Sequence, residues 1–248
     1  MAHSFLRPVP RISTLVRLAL LTLLLITVSA VTFNSARTAH AAPAATWSST
    51  AAFGSWTSGA YTLNNDVWGS GAGPQTIWAN AGSNWGVYSD QPNTGGVKSY
   101  PHSGISVGRA LSALNTATSS FNVSVPGAGA YETAYDIWCN NYSYEIMLWM
   151  NKTGAVGPIG SLQTTASVGG FNWNVYSGSN GSNPVYSFLN QGSASSGSVD
   201  IKAVLNWIKS KGWFGNVTLS QVQFGFEITS TGATTRNFTS NSFSASYS

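Results

Sequence analysis

From residue 42 onward the chain is written as short runs of β-favouring residues, broken again and again by clusters of glycine, serine and asparagine. Trp68-Gly69-Ser70-Gly71-Ala72-Gly73-Pro74, Pro92-Asn93-Thr94-Gly95-Gly96 and Ser177-Gly178-Ser179-Asn180-Gly181-Ser182-Asn183-Pro184 are such clusters. Strands of this kind, closed by residues that tolerate tight turns, build an antiparallel sandwich or barrel. One segment departs from the rhythm. Ile201, Val204, Leu205 and Ile208 recur at helical spacing, Asp200 can cap them and Gly212 can stop them. Lys209 and Lys211 fall at the end where the helix dipole favours cations. The expectation is an all-β chain with a single short helix packed on the outside of one sheet. No linker or internal repeat marks a second domain, so residues 42–248 read as one.

The residues before 42 follow other rules. Arg7, Arg11 and Arg17 accompany an apolar stretch from Leu18 to Phe33, and Ala39-His40-Ala41 supplies a small-x-small site. That is the order of a secretory signal. The apolar core is shorter and more interrupted than the roughly 20 residues of a spanning helix. A signal over 1–41, a secreted domain over 42–248 and no membrane association after cleavage are expected. The signal also carries away Arg7, Arg11, Arg17 and Arg37 of the eleven basic residues, leaving seven against seven acids. The high pI therefore marks no basic face, and nucleic acid is not an expected partner.

Cys139 is the only cysteine. It can form no internal disulfide, and beside Ile137 and Trp138 it reads as a buried, inert thiol. His102 is the only histidine outside the signal, and it falls in a Pro-His-Ser-Gly turn with no nucleophile elbow near it. One His and one Cys cannot build a zinc site. No metal and no cofactor are expected.

Any acid–base chemistry must draw on seven carboxylates: Asp66, Asp90, Glu132, Asp136, Glu145, Asp200 and Glu227. In the run 142–150, Tyr144, Ile146, Leu148 and Met150 alternate with Glu145, Met147 and Trp149, so a strand there turns its acid away from the core. Phe224, Phe226 and Ile228 likewise leave Gln223, Gly225 and Glu227 on the opposite face. Gly225 removes a side chain beside Glu227, which makes room for a ligand or another backbone. Asp136 and Trp138 share a face against Tyr135 and Ile137. Three β runs thus set an acid opposite an apolar row, in a domain rich in tryptophan, whose rings stack on sugar faces. Two carboxylates across a sugar chain are the apparatus of glycoside hydrolysis.

The run Tyr144-Glu145-Ile146-Met147-Leu148-Trp149 resembles the nucleophile strand of glycoside hydrolase family 12, and Gly225-Phe226-Glu227-Ile228 resembles its acid/base strand. Asn65-Asp66-Val67-Trp68-Gly69, Val97-Lys98-Ser99-Tyr100-Pro101 and Gly157-Pro158-Ile159-Gly160-Ser161 agree with the family in the same order. The resemblance spans nearly all of 42–248. It implies a β-jelly roll sandwich of two curved antiparallel sheets, the short helix on the convex side and a long cleft on the concave one. It implies a monomeric, secreted, retaining hydrolase of β-1,4-glucan polysaccharide. Glu145 would be the nucleophile and Glu227 the general acid/base, with Asp136 hydrogen-bonded to Glu145. Asn65 and Trp68 would bind glucosyl units, Met147 and Trp149 would line the floor, and Pro158 the loop over it. Asp66 departs from the family, which often has Asn there, and so does Cys139.

Two other readings stay open. A non-catalytic carbohydrate-binding sandwich would explain the tryptophans and low charge but not the two glutamates. A related jelly-roll xylanase would also use two Glu, although Ile146-Met147-Leu148-Trp149 argues for glucan.

Overall fold

The computed structural model describes residues 44–248, so the expected signal over 1–41 lies outside the described residues. The three runs that alternate in the sequence are adjacent in space. They are β8 (Ala130–Cys139), β9 (Tyr144–Thr153) and β14 (Thr218–Ser230), hydrogen-bonded in the order β9-β8-β14. Around them the chain contributes β1 (Trp47–Ser49), β2 (Ser55–Ser58), β3 (Tyr61–Asn64), β4 (Gln75–Ala81), β5 (Asn84–Ser89), β6 (His102–Ala110) and β7 (Ala117–Ser124). Then follow β10 (Ser161–Val168), β11 (Phe171–Ser179), β12 (Pro184–Asn190), β13 (Ser196–Asp200), α1 (Ile201–Ser210) and β15 (Arg236–Tyr247). A nine-stranded sheet runs β10-β11-β12-β9-β8-β14-β6-β3-β2, and a six-stranded sheet runs β1-β4-β5-β15-β7-β13.

The apolar rows of the middle strands make the core between the sheets. Ile146, Leu148, Met150, Tyr135, Ile137, Phe224, Phe226 and Ile228 are all without solvent exposure. From the small sheet Phe243 stacks on Phe224 with centroids 5.3 Å apart, and Trp85 meets Phe226 at 5.4 Å. Each such ring withdrawn from water contributes about 1.5–3 kcal/mol. The opposite face is not simply wetted. Ala134, Met147, Trp149 and Val185 form a second, smaller buried cluster there. Strands buried on both faces are what allow a carboxylate on that face to be desolvated.

The helix forms where its spacing placed it. The Asp200 side chain accepts from the Ala203 amide at 2.8 Å, and Ile201, Val204, Leu205 and Ile208 are buried in the main core. The helix follows β13 at the edge of the narrower sheet, and Trp207 sets its ring edge-on to Phe188 of β12 at 5.4 Å. Six strands cannot cover nine, and α1 continues the layer over the part they leave, on the side away from the cleft.

Two other details differ from the sequence reading. His102 is not in a turn: it opens β6, paired with Gly225 of β14 and Asn64 of β3. And one pairing is parallel, β12 on β9, with Val185 opposite Glu145. The β10–β11 hairpin supplies the long crossover that a parallel pair requires.

Candidate active site

Register brings the acids to one face. Asp136 lies between Met147 of β9 and Gln223 of β14, Trp138 lies opposite Glu145, and Glu132 lies opposite Glu227. On this face opens a cleft of about 390 Å³, lined by Asp66, Asp136, Glu145 and Glu227 among rings of Trp68, Trp138, Tyr142 and Trp149. Met147, Tyr100, His102 and Asn180 also face it.

Glu145 is steadied from a neighbouring loop. Its Oε2 accepts from the Asn180 side-chain amide at 2.9 Å, and Asn180 also donates to Asn183 Oδ1 at 3.1 Å. Burial lifts its carboxyl above the usual range, the amide of Asn183 counters that, the charge of Glu227 adds to it, and the amide of Asn180 counters it again. The loop reaches Glu145 because β12 is parallel to β9. The turn entering β12 then falls beside the start of β9, where an antiparallel partner would have brought its other end.

Glu227 is raised by burial, and contact with the Glu132 carboxyl pulls it back down. Asp136 is 6 % exposed, and no donor among the described residues reaches its Oδ1. Burial first, then the charges of Glu145, Glu227 and Asp66, hold its carboxyl well above the usual range. Tyr100 donates to the Ala134 carbonyl at 3.1 Å and has three of these acids around it. Its ring stacks on His102, centroids 4.9 Å apart. His102 Nδ1 donates to the Tyr100 carbonyl at 2.7 Å, which leaves Nε2 to accept from Asn64 Nδ2 at 3.2 Å. Burial pushes the ring down to about 4, and Asp66, 3.9 Å away, is lifted by burial to about 6. At neutral pH the imidazole is uncharged and the contact is not an ion pair.

The cleft walls are fixed by a polar chain. Trp138 Nε1 donates to Gln223, Gln223 to Gln221, and the Tyr142 hydroxyl to Gln221, at 3.2, 2.9 and 3.2 Å. Trp68, 54 % exposed, presents a free ring. Its amide and that of Gly69 both donate to the Lys98 carbonyl, while the Lys98 amide bonds Ile228 on the strand of Glu227. The 97–101 segment is thus a clamp: Lys98 is buried and its ammonium donates to the carbonyls of Gly95 and Gly96.

Of the residues singled out in the sequence, Asp136, Glu145, Glu227, Trp68, Met147 and Trp149 come together at the cleft. Asn65 does not. It is fully buried, donating to Ala51 and accepting from Gln75. Pro158 is also outside the lining, although its neighbours Gly157 and Ile159 contribute. Cys139 is buried and free, its thiol pushed up to about 12. Among the described residues no group of His, Cys, Asp and Glu could hold a metal. Asn180, Asn183, Tyr142 and Gln223 were not legible as site residues, since each reads locally as a turn or strand-face polar residue. The close approach beside Glu227 is to backbone, not to a ligand: a Cβ on Gly225 would stand 2.1 Å from the Pro101 carbonyl.

Comparison with known proteins finds relatives in sequence and in fold. Residues 59–248 match the family model for glycosyl hydrolase family 12. A probable xyloglucan-specific endo-β-1,4-glucanase A of Aspergillus fumigatus is 31 % identical over 194 residues, covering 71 % of this chain and 82 % of that protein. The xyloglucan-specific endo-β-1,4-glucanase A of Emericella nidulans is 32 % identical over 196 residues, covering 70 % and 82 %. Among solved structures, the xyloglucanase domain of a Sinorhizobium fredii type three effector, in complex with cellobiose, superposes with a TM-score of 0.79 at 44 % identity, covering 82 % of this chain and 99 % of that one. A native family 12 xyloglucanase from Bacillus licheniformis gives 0.72 at 27 %, covering 82 % and 100 %.

Proposed function

The chain belongs to glycosyl hydrolase family 12 and is a glycoside hydrolase, and from that premise we propose a secreted, retaining endo-β-1,4-glucan hydrolase with Glu145 as nucleophile and Glu227 as general acid/base. The observation that carries this is the pairing of two differently supported carboxylates in one cleft. Glu145 accepts hydrogen bonds from asparagine amides, which favours its anion. Glu227 is raised by burial, which favours its acid. A glucan chain laid along the cleft stacks on the exposed ring of Trp68 and meets Met147 and Trp149 on the floor. Glu227 protonates the departing glycosidic oxygen while Glu145 attacks the anomeric carbon. Glu227, now a base, takes a proton from the water that releases the glycosyl-enzyme. Asp136, itself protonated, adds no negative charge beside the nucleophile and tunes it. The xyloglucan-specific relatives make decorated β-1,4-glucan the substrate to try first. Export through the signal at 1–41 and action as a monomer complete the reading.

Reducing-sugar release from xyloglucan, mixed-linkage glucan, carboxymethyl cellulose and xylan tests it, with Glu145→Gln and Glu227→Gln alongside. Each substitution is expected to cut turnover of a glucan by about 10⁴ or more while the fold and glucan binding persist. Hydrolysis surviving in either folded variant removes that residue from the role assigned to it.

A further inference from the structure

Behind Glu227 stands an acid that the reaction above does not use. Glu132 of β8 is the direct cross-strand partner of Glu227, 1 % exposed, with a carboxyl within hydrogen-bond reach of it. Its Oε2 is sealed from water, and no N–H or O–H donor among the described residues reaches it. On its other side β9 sets Lys152 opposite, but that side chain is exposed and its ammonium donates to the Val156 carbonyl at 3.3 Å. Along its own strand the next carboxyl belongs to Asp136, another acid. Two carboxylates in this arrangement could only repel. A proton on one of them turns the contact into a hydrogen bond and satisfies the orphaned oxygen as a hydroxyl.

We propose that Glu132 is a positioning residue that stays protonated and donates a hydrogen bond to the Glu227 carboxyl, fixing its orientation and setting when it gives up its own proton. The direction of the electrostatics agrees. Burial first, then the charge and contact of Glu227 and the charge of Asp136, raise Glu132 well above the usual carboxylate range, with only Lys152 opposing. Glu227 feels the same contact as a lowering. One Glu227 oxygen is held by Glu132 and the other is left to face the cleft. A group that must alternate between acid and base is thereby kept in one pose in both states.

The inference rests on the assignment of Glu227 as acid/base, and the test separates the two. Glu132→Met removes the donor, destabilises the Glu227 anion and is expected to move the alkaline limb of kcat/KM upward by about one pH unit. Glu132→Gln keeps an N–H donor and is expected to return that limb toward the parent. The difference infrared spectrum of the parent against Glu132→Gln at pH 7 is expected to contain the carbonyl stretch of a buried carboxylic acid. This last readout requires only the isosteric variant to fold. An absent band, a limb that neither variant moves, or one that both move alike overturns the proposal. A shift toward acid in both would mean that Glu132 is an anion. Glu227→Gln is the control. If it still hydrolyses glucan, the acid/base assignment fails, while the infrared band still decides whether Glu132 carries a proton.

Discussion

Burial is the first cause lifting Asp66, Glu132, Asp136, Glu145 and Glu227 above their ordinary values. The unfolded chain ionises such acids near 3.8 for Asp and 4.5 for Glu, while the folded chain still holds their protons. Between those values and the folded ones, folding binds protons, so this stabilisation is complete below about pH 4 and is lost as pH climbs. Each fully buried acid contributes a slope of up to about 1.4 kcal/mol per pH unit. His102 opposes them, since its lowering from 6.5 to about 4 makes stability rise with pH across that interval. One group against five leaves the acids dominant. The calorimetric melting temperature is expected to fall between about pH 4.5 and 7, and to fall less in Asp136→Asn. A melting temperature that rises over that range would show the cleft acids to be ionised in the folded protein. The parity of a two-sided strand is enough to place Asp136, Glu145 and Glu227 on one face from sequence. Glu132 shares that parity with Asp136, but its partnership with Glu227 depends on β14 lying beside β8, which no local pattern states.

The turn between β8 and β9 carries more strain than any other short connection described. Asn140, Asn141 and Tyr142 all have positive φ, at 50°, 52° and 70°. Asparagine tolerates that region, but an aromatic residue there costs about 1–3 kcal/mol. The strain hangs the Tyr142 ring over the cleft beside Trp138, centroids 5.1 Å apart. Tyr142→Gly is therefore expected to hold or raise the melting temperature while raising KM for long glucan chains several-fold. Unchanged KM would show that the ring does not meet the substrate. Gly225 carries the opposite burden, as a point where β14 packs tightly against the chain entering β6. Gly225→Ala is expected to cost about 1–3 kcal/mol in denaturant unfolding, because the Pro101 carbonyl that accepts from Phe226 must move. A neutral result would mean the strands can separate there freely. At this scale the helix was fully legible, because cap, apolar spacing and stop agree. The strand opening at His102 was not, because Pro101 and Gly104 read as turn residues until β3 and β14 pair on either side of them. The Asn180 loop was read correctly as a turn. Its reach to Glu145 was invisible, since it depends on the parallel register of β12.

Across the whole molecule the sandwich itself was legible, from strand rhythm and turn composition. What the sequence could not express was width. Nothing local says that one sheet has nine strands and the other six, nor that a helix makes up the difference. That asymmetry leaves the wide sheet one face for the core and one for the cleft. The strand order has a further consequence, in time rather than space. β14 sits between β8 and β6, and β15 between β5 and β7, each joining partners made between 80 (Leu219 with Cys139) and 155 (Ser240 with Trp85) residues earlier. As the chain grows, its first strands can form hairpins, but neither sheet can close until residues 218–247 arrive. Such distant pairings fold slowly and leave strand edges bare in the meantime. A chain in that condition is still threadable, and under the export proposed above the arrangement that completes the cleft last would also keep the protein loose until it has crossed a membrane.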